Sequence, residues 1–105
     1  MDAKSAQMLI LNVCKMMLAD ELSFIIGSRK IVRLLRLAEL SDNDPDNLVF
    51  IAIESETDDV PLGEARRHWS RSAVNANSAN WDEAEAWAKR TGSNAAKNLV
   101  QRLEE

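Results

Sequence analysis

The chain is poor in the residues that staple or sharply turn small proteins. It holds one cysteine in 105 residues, Cys14, so no internal disulfide can form and a disulfide-stapled secreted scaffold is excluded. Three glycines and two prolines are too few for the repeated turns of a β-sandwich or barrel. One histidine, His68, has no second histidine or cysteine at zinc-site spacing. Positive charge is not in excess: the formal net charge is −4, which argues against a nucleic-acid-binding surface. Long apolar runs are missing too. The stretch 8–18 is interrupted by Asn12 and Lys15, falls short of a bilayer span and has no small-residue cleavage site after it. These absences set the expectation of a cytoplasmic chain with neither nucleic acid nor membrane as its partner.

What is present favours helix. Alanine, leucine, glutamate, lysine and arginine are plentiful, and the hydrophobic fraction of 46% supports a packed core without metal or disulfide. The expectation is a single mainly α domain over 1–105, a bundle of four to five helices. The first helix is predicted over 2–18, with Ala6, Leu9, Ile10, Val13 and Met17 on one face. Met8, Leu11, Cys14, Met16 and Leu18 widen that stripe, so this helix should be central or covered by a second chain. Cys14 reads as a small buried apolar residue, because no positioned base stands beside it to make it a nucleophile.

Residues 20–27 read as a short helical turn. Gly27 then punctuates the chain, and Ser28 caps a second helix over 29–40. Ile31, Leu34, Leu35 and Ala38 form its buried stripe, with Arg29, Lys30, Arg33 and Arg36 on the flank. The run 48–53 has two readings. Its β-branched composition suggests a lone buried strand. Asp44, Pro45 and Asp46 before it form a helix start, and a single strand cannot satisfy its backbone, so a buried helix over 45–57 is preferred. A turn follows at 60–63 and a short helix at 64–69. Residues 70–80 read as a polar connection with one helical turn near 72–75. Asn80 and Glu83 then resemble a capping box opening a last helix to 103, in which Gly92 permits close helix approach. Trp81 at that start is expected to be partly exposed, and Trp87 packed.

The densest polar cluster is Glu54, Glu56, Asp58 and Asp59, followed by Arg66, Arg67, His68 and Trp69. Glu54 and Asp58 lie one helical turn apart and could share a divalent cation with water, yet the spacing matches no metal motif, and no cofactor is expected. Acid–base catalysis would need a cleft and shifted pKa values that the sequence does not supply, so no catalytic residue is assigned. The structural reading pairs the acids with Arg66 and Arg67 and lets Trp69 anchor the short helix. The basic block 29–36 could bind an anion at the helix start, or could pair with the acidic block 42–59.

The stretch 50–63, with Arg66 and Trp69 after it, resembles a motif of small uncharacterised bacterial proteins, and 87–103 is similar to theirs. The resemblance implies a bacterial stand-alone domain and carries over no activity, cofactor or site residue. Three functions compete. The first is a non-enzymatic protein-interaction or regulatory domain, comparable with small acidic immunity proteins and antitoxins. The second is a homodimeric structural or ligand-binding protein. The third is a metal-dependent hydrolase built on the acidic cluster and His68.

Overall fold

The computed structural model describes residues 1–60 and 71–104, and for 71–79 only the backbone is considered. Four helices make up the described fold: α1 Ala3–Leu18, α2 Phe24–Leu34, α3 Pro45–Glu56 and α4 Arg71–Leu103. There is no strand among the described residues. The mainly α expectation holds, and the strand reading of 48–53 is overturned. Asp44 accepts from the Asp46 N–H at 2.9 Å and caps α3, with Pro45 in its first turn. Phe50 and Ile53, one turn apart, are wholly buried, while Leu48 and Ala52 face outward. The helical period is hidden in the sequence because the outward positions are apolar too.

α1 begins as expected, with Asp2 accepting from the Ser5 N–H at 2.7 Å. That hydrogen bond holds the Asp2 carboxyl below its ordinary range. α2 begins five residues before the predicted start, at Phe24. Its cap is Ser23, whose Oγ accepts from the N–H groups of Ile25 and Ile26 at 3.1 and 3.2 Å. Gly27 and Ser28 are therefore interior and buried, not a break. A methyl group on Gly27 would come within 2.7 Å of Met17 Cγ, so this glycine serves the close approach of α1 and α2. α1 ends at Leu18 as expected, but α2 ends at Leu34, six residues before the predicted end, and turns cover 35–39, so that Asp20 lies just after α1 and Glu39 closes the turns after α2. Asp20 and Glu39 take up left-handed backbone, φ 59° and 56°. In each case the next N–H, of Glu21 and of Leu40, reaches back to Met16 O and Leu35 O at 2.9 and 3.0 Å, the bond pattern of a Schellman ending.

α4 also differs from expectation. It starts at Arg71, so Asn80 lies inside the helix instead of capping it. At 33 residues it is about 50 Å long and sets the 47 Å long dimension of the molecule. Its buried face is Trp81, Ala88, Gly92, Ala95, Ala96 and Leu99. Small side chains let α1, α2 and α3 all pack on it. At Gly92 an added methyl would sit 3.0 Å from Ile53 Cδ1 and 3.1 Å from Phe24 Cδ1, which bears out its predicted role. Trp81 is 8% exposed, contrary to the expectation of partial exposure.

Side chains from distant helices complete the helix ends. Glu85 of α4 accepts from the Phe24 N–H at 2.8 Å and from the Ser23 hydroxyl, so α2 is capped partly by α4. Arg29 Nη2 donates to Thr57 O and, at 3.1 Å, to Val60 O. A cation there complements the carboxyl end of α3. Gln7 donates to Ala38 O at 2.9 Å, tying α1 to the turns after α2. Arg102 clamps the start of α3, 3.0 Å from Asp44 and 3.2 Å from Asp46, while Asn98 donates to Asp46 at 3.0 Å.

The Arg102 clamp makes a testable contribution. The hydrogen bond from Arg102 is the main cause that holds the Asp44 carboxyl below its usual range. A depressed carboxyl pKa stabilises the fold above the unfolded value, near 3.8, and that contribution disappears as pH falls through the folded value. Arg102→Gln should therefore cost about 1 kcal/mol at neutral pH, a small figure because the pair is solvent-screened. The gap from the unsubstituted chain should close in acid. Urea unfolding at neutral pH and below the carboxylate range measures both.

Candidate functional site

The predicted acidic cluster is only partly brought together. Glu54 is half-buried at the end of α3, and Glu56, Asp58 and Asp59 are exposed. None of the four makes an ion pair among the described residues. Arg66, Arg67, His68 and Trp69 lie outside the described residues. The acidic block 42–59 is not one surface. Asp44 and Asp46 are taken up by Arg102 and Asn98, and Glu54 to Asp59 sit at the far end of α3, about 18 Å away along the helix axis. Glu56 and Thr57 do share a groove of about 310 Å³ with Asn80, Glu83, Ala84 and Trp87. No group of three or more His, Cys, Asp or Glu that could hold a metal ion occurs among the described residues. Cys14 is buried, and burial pushes its thiol up to about 12, the environment of an inert structural cysteine.

The basic block is likewise divided. Arg29 is spent on the end of α3. Lys30, Arg33 and Arg36 are left without an ion pair among the described residues, so the pairing of basic with acidic block is not formed. Arg36 and Asp42 both line a groove of about 480 Å³ with Val32, Leu35, Leu40, Ser41 and Ile51. Opposite charges on one rim give it no net sign for a ligand to recognise. The buried polar atoms without a partner, Ser28 Oγ and Asn47 Oδ1, belong to residues that line none of these grooves.

Lys30 and Arg33 have a different setting. They border a groove of about 280 Å³ whose other lining residues are Leu9, Val13 and Leu34. Leu9 and Val13 are one turn apart on α1. Lys30, Arg33 and Leu34 follow the i, i+3, i+4 spacing of one α2 face. Leu9 is 42% exposed and the neighbouring Met8 56%. Leu9 is thus a large apolar side chain left in water beside cations that have no ion pair among the described residues. The space suits apolar side chains of a partner better than a drug-sized ligand. The apolar spacing of α1 puts Leu9 on the buried stripe, whereas the fold leaves it exposed; Leu34 is half-buried and packs against the core as expected. The signal was available in the spacing 30, 33, 34, two cations and a leucine on one face of α2. Comparison of the chain with protein-family models, with curated proteins and with solved structures finds no match.

Proposed function

We propose that this chain is a non-enzymatic protein-interaction domain whose docking face is the groove between α1 and α2. The observation that carries the reading is the exposure of Leu9, beside Met8, next to Lys30 and Arg33, which have no ion pair among the described residues. Apolar anchors bordered by charge are the makeup of an interface core and its rim. Regulation by masking a partner, as in small immunity proteins and antitoxins, is the mode that fits a domain of this size. The acidic end of α3 plays no direct part in this contact.

A photo-reactive phenylalanine analogue at position 9 tests the reading, with the same analogue at the exposed Asn94 as control. Irradiation in cells of the source organism should yield a discrete adduct with another protein from position 9 and none from position 94. Adducts from neither position would overturn the proposal. An adduct of the chain with itself would replace it by the homodimer.

A further inference from the structure

The cations at the groove constrain what can occupy it. Lys30 and Arg33 are exposed, one helical turn apart, and border a floor made of Leu9, Val13 and Leu34. An occupant must bring apolar side chains to the floor and negative charge to that border. We propose that the groove takes an acidic amphipathic helix of a partner protein. Its apolar face seats on Leu9, Val13 and Leu34, and two carboxylates one turn apart meet Lys30 and Arg33. The inference deepens the protein-interaction reading and rests on it.

Charge decides among the occupants. A second copy docking the same groove about a two-fold axis would bring four cations into one contact, and the groove lining holds no carboxylate to meet them. A nucleic acid needs a continuous track of cations, whereas this groove has two over an apolar floor and the chain as a whole carries −4. A peptide adding as a strand needs a sheet edge and a polyproline segment needs an aromatic-lined groove; no strand exists among the described residues and no aromatic side chain lines this groove. A helix lying between two helices meets the groove with its i, i+3, i+4 side chains. Carboxylates on that helix gain the partners that Lys30 and Arg33 lack within the chain.

The experiment is selection from a displayed library of randomised peptides of about 16 residues, roughly four helical turns, against the whole chain. The expected consensus has apolar residues at i, i+3 or i+4, and i+7, flanked by two Asp or Glu one turn apart. A synthetic peptide of that consensus should bind at least about tenfold more weakly to the Lys30→Glu, Arg33→Glu double variant, and equally well to an Arg90→Glu control. Replacing its two acids by lysine should restore binding to the double variant. A neutral or basic consensus, or binding indifferent to the double variant, overturns the inference. Adhesion to phosphatidylserine vesicles that Leu9→Glu abolishes, without an acidic consensus, would also overturn it and assign the groove to a membrane surface. Mapping the position 9 cross-link separates the two levels: a basic or extended partner segment sinks the acidic helix and leaves protein binding standing, whereas no cross-link removes both.

Discussion

Phe50→Ala is expected to lower the unfolding free energy by about 3–5 kcal/mol, the range for emptying a fully buried aromatic site. Phe50 is 0% exposed and sits on α3, which packs against both α2 and α4. α3 is packed on two other helices, which limits how far the site can close over the lost ring. A domain of this size has about 5–15 kcal/mol in total, and the variant should be marginal at body temperature. Leu48→Ala, two residues away on the solvent side at 47% exposure, should cost under about 1 kcal/mol, mostly helix propensity and partial burial. Urea denaturation followed by circular dichroism compares the two. Equal losses would mean that the inward face of α3 has been misassigned.

Glu85→Ala should cost about 2–3 kcal/mol. The carboxylate accepts from the Phe24 N–H and the Ser23 hydroxyl, and Ser23 in turn caps the next two N–H groups of α2. Hydrogen bonds to a charged acceptor are worth roughly 1.5–3 kcal/mol, and removing this one leaves part-buried donors unmet. Glu85→Gln keeps one acceptor oxygen and should lose about half as much. The nearby exposed Glu83→Gln should change little, within about 0.5 kcal/mol. Because Ser23 and Glu85 act as one unit, the double variant Ser23→Ala, Glu85→Ala should cost less than the sum of the singles. Strict additivity would show that the two cap independently.

These residues show how far local pattern reaches. The start of α3 was readable from Asp44, Pro45 and Asp46 because an N-cap is a local contact within a few residues. The start of α2 was misplaced, although Ser23 is an ordinary cap residue, since Gly27 and Ser28 offered a second start of equal local merit. Glu85, 62 residues from Ser23, favours the earlier one. Of the helix ends, only that of α2 departs clearly from expectation, at Leu34 instead of Leu40, while α1 and α4 end at Leu18 and Leu103 as expected. The left-handed positions belong to Asp20 and Glu39, not to glycine, and the two described glycines lie inside helices where neighbours press close. Asn80 and Glu83 imitate a cap in sequence, but the helix runs through them.

The candidate site was legible in composition and not in placement. Leu9 and Leu34 belong to apolar stripes that a single helix would bury entire. Whether each is covered depends on how α1 and α2 lean on α4, and that inclination follows from the small residues Ala88, Gly92, Ala95 and Ala96, far along the chain. The basic block likewise looked uniform. Only packing separates Arg29, which closes the end of α3, from Lys30 and Arg33, which border the groove.

By itself the sequence determined the helical class, the number of helices to within one, the cap of α3 and the identity of most core residues. Those properties come from backbone propensity and a 3.6-residue repeat, which act within a few turns. The tertiary structure alone decided which acids and cations are spent on helix ends, where α2 and α4 begin, and which leucines remain in water. Those outcomes depend on side chains that meet across long sequence separations, where a charge is consumed or left free according to which helix lies beside it.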